Sequence, residues 1–164
     1  MAGKKLTQEM VDALASKLQY YKYEVSFGDD GDAIILGPLN SPPSIEPETE
    51  TKETVLYEIG SEALVEVLSK NNARITLEVN DVDTALALKA TYKKGDNILA
   101  STFSKPLIFV PLTEDQNAKT LIFPNCFLVP GMSFTPVEGD DPNYVSMEFL
   151  AKPDVDSGVL YTFE

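Results

Sequence analysis

The spacing of apolar positions changes twice within the first forty residues. Met10, Val11, Leu14, Leu18 and Tyr21 recur at three- and four-residue steps, which puts them on one face of a helix over residues 7–19. Thr7 is a good N-cap for it, with Leu6 and Val11 placed to form a hydrophobic staple across the first turn. The period then drops to two. Tyr21, Tyr23, Val25 and Phe27 face one way and Lys22, Glu24 and Ser26 the other, as on a half-buried strand. Residues 28–32 (Gly-Asp-Asp-Gly-Asp) make a turn, and residues 33–36 return as a short apolar strand, so a β-hairpin is expected.

The next stretch, an arm over residues 38–54, is of a different kind. Pro38, Pro42 and Pro43 exclude regular helix and central strand and favour a stiff, extended course, to which Pro47 adds. Glu48, Glu50 and Lys52 then alternate with Thr49 and Thr51, a pattern suited to an exposed edge segment. Little here is apolar enough for a core, so residues 41–51 are expected to be dispensable for folding. Residues 54–59 read as a strand. Ser61 is expected to cap a short helix through Ala63, Leu64, Val67 and Leu68 that Asn71 and Asn72 close. Ile75, Leu77 and Val79 alternate cleanly, and Asp81 or Asp83 caps a second short helix over 84–90. From there the chain reads as β, with strands at 107–112, 120–129, 144–151 and 159–163 separated by turn clusters. The fold class expected is mostly β with short helices (α+β). It is an antiparallel β-sandwich or barrel with an N-terminal helix and one or two short flanking helices, in one domain over residues 1–164.

Composition removes most catalytic possibilities. The chain of 164 residues has no His and one Cys, Cys126. No Ser-His or Cys-His nucleophile pair can form, nor any zinc site built on His or on a cysteine cage. Cys126 lies among bulky apolar neighbours and reads as a small buried hydrophobe. The acidic turn at 28–32 begins like a calcium loop, but the ligand series and closing Glu do not follow. No glycine-rich phosphate loop and no Gly-x-Ser-x-Gly is present. A pair of carboxylates alone can hydrolyse glycosides, but these acids cluster in turns and on strand faces, and no Trp is available to floor a sugar site. The expectation is a protein that is not an enzyme and needs no cofactor. No apolar run approaches the length of a membrane span, the N-terminus lacks a signal-peptide core, and synthesis in the cytosol is expected. The net charge of −13 repels phosphate backbones, which argues against gripping nucleic acid and suits a surface past which DNA slides.

Three stretches carry a likeness to a known family. Residues 73–88 (ARITLEVNDVDTALAL) run from a strand into a short helix, and residues 121–126 form an apolar strand interrupted by Pro124-Asn125. Residues 144–154 and 158–163 give a late strand, a Pro-Asp turn and a closing aromatic strand. Over residues 50–164 this order resembles the tail tube proteins of long-tailed bacteriophages and the related tube proteins of contractile injection machines. The resemblance implies hexameric rings stacked into a hollow tube, with strands of each subunit joined in a continuous inner barrel and a long loop reaching the adjacent ring. It implies a virion tail location. The partners would be further copies of the chain, other tail proteins, and DNA that passes without specific binding; no membrane is implied.

In that setting the arm supplies the contacts between subunits or rings, through Pro42, Pro43, Ile45, Pro47, Thr49 and Thr51, and Glu48 and Glu50 are candidate acids facing a lumen. Another tail, neck or baseplate ring component shares the same composition. A monomeric β-sandwich module that binds a carbohydrate or a protein through its loops is the alternative from a different class.

Overall fold

The computed structural model describes residues 5, 7–15, 22–29, 31–56, 63–136 and 139–164. Helix α1 (Gln8–Ala15) comes first, and Thr7 caps it, its Oγ1 accepting from the Met10 N–H at 3.2 Å. Strand β1 (Lys22–Phe27) and the short β2 (Ile34–Ile35) form the expected antiparallel hairpin. Gly28 makes its turn with φ of 116°, a backbone state that favours glycine, while its N–H donates to Pro106 O at 2.9 Å. Two long strands follow, β3 (Ser44–Leu56) and β4 (Ala63–Val79). Helix α2 (Val82–Ala90) is capped by Asp81, which accepts from the Thr84 N–H and hydroxyl. Strands β5 (Lys105–Leu112), β6 (Leu121–Val129), β7 (Val145–Lys152) and β8 (Thr162–Phe163) complete the chain, with a single 3₁₀ turn at Ser101–Phe103 before β5.

All strand pairs are antiparallel, in the order β2-β1-β5-β6-β7-β4-β3, with β8 added to β6. The sheet is rolled. Phe27 on β1 and Phe149 on β7 have ring centroids 5.0 Å apart although β5 and β6 lie between their strands. The segment leading from β2 to β3 closes the roll. On one side Leu36 N–H donates to Val25 O of β1. On the other, Asn40 N–H donates to Glu78 O and Pro38 O accepts from the Asn80 N–H at the end of β4. The expected α+β, sandwich-like or barrel-like class is therefore the class observed.

Alternation decides which residues fill the interior. Val25 and Phe27, Ile75, Leu77 and Val79, and Val145, Met147, Phe149 and Ala151 all point inward and are buried. On β6 both Phe123 and Cys126 are buried, because the pairing with β5 slips between Lys105 and Leu107. Ala85 of α2 joins the same core. Burial pushes the Cys126 thiol up to about 12, as expected of an inert buried hydrophobe.

One expected element is overturned. Ala63, Leu64, Val67 and Leu68 do not form a helix: β4 runs unbroken from Ala63 through Asn71 and Asn72 to Val79. The run Ala-Leu-Val-Glu-Val-Leu fits both periods. The thirteen-residue β3 laid alongside settles it as a strand, where the β-branched valines pack well. The proposed cap Ser61, the strand end at 57–59, Leu6 and residues 16–21 lie outside the described residues.

Candidate functional site

The arm read from the sequence is half of a long hairpin. β7 accompanies β4 only from Ala73 to Val79, but β4 and β3 stay paired back to Ala63 and Leu56. Residues 49–56 and 63–71 therefore leave the barrel as a two-stranded ribbon. Its pairing shifts by one residue between Glu50 and Thr51, where Ser69 is the extra residue and its hydroxyl donates to Glu50 O at 3.1 Å. Among the described residues no strand pairs with the outer edge of β3.

The ribbon exposes apolar side chains that a lone hairpin cannot bury. Val65 and Val67 stand on one face, and Leu68 stands on the other; Val67 is 54% and Leu68 53% exposed. On the Leu68 face Glu53 and Glu66 are cross-strand neighbours of like charge, and Thr51 Oγ1 donates to Glu66 Oε1 at 2.6 Å.

At the foot of the ribbon the outward face of β3, β4 and β7 carries a row of ion pairs. Arg74 donates through Nε to Glu48 Oε1 at 2.6 Å and through Nη1 to Glu148 Oε1. Lys70 lies 3.9 Å from Glu48 and 4.0 Å from Glu50. The hydrogen bond from Arg74 is the main reason the Glu48 carboxyl sits below its ordinary range, and both partners raise the Arg74 guanidinium above its own. These groups remain open to solvent, so the row fixes register rather than supplying much stability.

Pro42 and Pro43 lie in the connection that precedes β3, while Ile45, Pro47, Thr49 and Thr51 belong to β3 itself and are exposed. Pro47, with no N–H, occupies the edge strand where such a residue is tolerated. Glu48 and Glu50 do share a face, but Glu48 is half-buried in its pairing with Arg74, and Glu50 is the freer of the two, its side chain 70% exposed. The segment is also less dispensable than expected. Asn40 Nδ2 and Ser41 Oγ both donate to Glu78 Oε2, and Ser44 to Pro47 pair continuously with β4 over the barrel. Sequence reading missed Arg74 and Lys70, which meet Glu48 only through strand register, and Glu148, which meets Arg74 in the same way. It also missed Val65, Val67 and Leu68 as an exposed set, because it placed Val67 and Leu68 on a helix.

Where the ribbon departs, β8 rather than β7 flanks the start of β6, leaving a cleft of about 340 Å³. Ile45, Pro47, Ala73, Leu121, Phe123 and Leu160 line it with Asn71, Asn72 and Tyr161.

No family model matches the sequence, and no curated protein does so. Solved structures do match. A chain of the sheath–tube complex of PVC, an extracellular contractile injection system in its extended state, aligns with a TM-score of 0.58 at 13% identity, covering 98% of this chain and 99% of that one. The anti-feeding prophage cap, described as the AFP tube terminating cap, aligns at 0.55 and 14% identity over 90% of each chain. The PVC sheath/tube terminator in its extended state aligns at 0.52 and 18% identity, over 90% of this chain and 96% of that one. At these identities the likeness is one of fold. It bears out, at that level, the resemblance to tail tube and contractile injection proteins.

Proposed function

We propose that the chain is a structural subunit of a phage-tail-like particle, assembling with its own copies into rings that stack around a channel. The observation that carries this reading is the ribbon formed by β3 and β4. It projects from the barrel with an open strand edge and uncovered Val65, Val67 and Leu68. An open edge with apolar side chains beside it is a surface for adding another chain. The fold shared with tube-terminating and tube-associated chains of contractile particles supports it. In this reading Pro42, Pro43, Ile45, Pro47, Thr49 and Thr51 lie at contacts between subunits, and hexameric rings are the arrangement the resemblance favours. Heterologous contacts close into rings, and stacked rings make a tube. Glu50 is the better lumen-facing acid, since Glu48 is engaged by Arg74. With a net charge of −13, such a channel repels DNA from its wall and lets it pass unbound.

Electron microscopy and sedimentation of the concentrated protein test this directly. Rings or tubes of uniform width are expected, and replacing Val67 and Leu68 with Ser should abolish them while leaving the monomer folded. A strict monomer at all concentrations and salt conditions overturns the proposal in favour of a monomeric binding module.

The likeness to a tube-terminating cap and a terminator supports a second reading, that of a ring which ends a tube rather than repeats along it. Rings that form but never stack would favour it.

A further inference from the structure

We infer that helix α1 of one copy docks into the apolar cleft at the foot of the β3–β4 ribbon of a second copy, so that neighbouring subunits exchange their N-terminal helices. The inference rests on the self-assembly reading and names one of its contacts. Two observations made on different parts of the chain meet here. The first is a helix without a surface to lie on. None of the described residues of α1 is buried, and its stripe of Met10, Val11 and Leu14 is open to solvent, Leu14 being 55% exposed. A surface helix draws most of its stability from packing of its apolar face, so the stripe needs an apolar counterpart.

The second is a surface without an occupant. The cleft has room for a few aliphatic side chains, about eleven waters' worth at about 30 Å³ each. Its walls are mostly apolar and include Ile45 and Pro47, both exposed on β3. Among the described residues the buried cluster draws on β1, Leu36, β4 to β7, α2 and Leu160, and on no residue of α1.

Register places both features at the same end of the barrel. Val25 stands level with Phe109, and Phe109 with Leu121 on the cleft wall, so Lys22, which follows α1, lies about 14 Å from Leu121 by strand spacing and rise. Residues 16–21 can span at most roughly 20 Å. The helix can therefore reach its own cleft, yet in the single chain its stripe stays uncovered. The cleft and the stripe are each free to take the other from an adjacent subunit, and exchange of identical elements is a low-cost route to self-association.

The experiment uses two single variants of the full chain, Leu14→Cys and Tyr161→Cys, both at exposed positions, mixed and concentrated under mild oxidant. Native Cys126 is buried and does not compete. The expected result is a disulfide-linked dimer in the mixture, well above that from Leu14→Cys mixed with wild type. Rings or tubes that form without this link overturn the inference and leave the assembly reading standing. Linked pairs without rings or tubes support the exchange and count against the tube. A double variant that closes the disulfide within one chain at high dilution shows that α1 covers its own cleft, and overturns the inference. A chain that neither assembles nor links overturns both.

Discussion

Strand β4 contains a controlled comparison within one element. Leu77 and Val67 are both aliphatic and ten positions apart on the same strand, but Leu77 is 1% exposed inside the barrel and Val67 is 54% exposed on the ribbon. Replacing Leu77 with Ala removes buried methyl groups and leaves a cavity among Ile75, Val79, Met147 and their neighbours, at a cost of about 3 kcal/mol. A fully buried Val contributes about 1.5 kcal/mol; with more than half its surface in water, Val67 keeps less than half of that, and Ala retains part of it. Val67→Ala should therefore cost about 0.5 kcal/mol. Urea unfolding of the dilute monomer measures both. With a denaturant slope of about 2 kcal/mol per molar, the midpoint should fall by about 1.5 M for Leu77→Ala and by about 0.25 M for Val67→Ala. Equal shifts would show that the ribbon packs against the monomer, and the reasoning that leaves it free for a partner would fail.

The remaining predictions concern charge, backbone and thiol. The Glu48 carboxyl is held below its ordinary value of 4.5, chiefly by Arg74, so its contribution is complete above about pH 4.5 and is lost as the pH falls through the lower folded value. The difference in urea midpoint between wild type and Arg74→Ala should accordingly be largest at neutral pH and shrink towards pH 3; a constant difference would refute the pairing. Gly28→Ala should destabilise by about 1–3 kcal/mol in a thermal melt. Its Cβ would come 2.8 Å from Asp32 O at a φ of 116°, and a wild-type melting curve would show that the turn relaxes freely. Cys126, pushed up to about 12 and buried, should resist an aromatic disulfide reagent at pH 8 and react fully once urea unfolds the chain. Rapid labelling of the native protein would place the thiol at the surface.

The barrel was legible wherever one period applied without competition. Ile75, Leu77 and Val79 alternate on β4, and Val145, Met147, Phe149 and Ala151 alternate on β7, and each set is buried as its alternation requires. The Thr7 cap was likewise readable, and the cap of α2 was narrowed to Asp81 or Asp83, because capping acts over three residues. Legibility failed where the deciding partner is remote. Ala63 to Leu68 suits either period, and only pairing with Leu56 to Thr51 fixes it. The Glu48–Arg74–Glu148 row joins positions 26 and 74 residues apart, a spacing that no local pattern announces. The slip on β6 that turns both Phe123 and Cys126 inward depends on β5 in the same way. Of the ribbon and its foot, the local pattern pointed to Pro47, Glu48 and Glu50 on β3 but not to the facing half on β4.

The uninterrupted course of β4 has a mechanical consequence. A ribbon whose two strands continue into the barrel behaves as a cantilever clamped at one end rather than as a tethered loop. From Ala73 to Ala63 it overhangs by roughly 33 Å at about 3.3 Å per residue. The offset at Glu50, Thr51 and Ser69 is the place where it can bend, and the Ser69 hydroxyl braces that joint. A neighbour that grips the tip would thus feel the orientation of the whole barrel behind it. In the proposed assembly, twist or tension applied at the ribbon would pass along covalent strands to Leu77 and Val79 in the barrel, instead of being absorbed by slack.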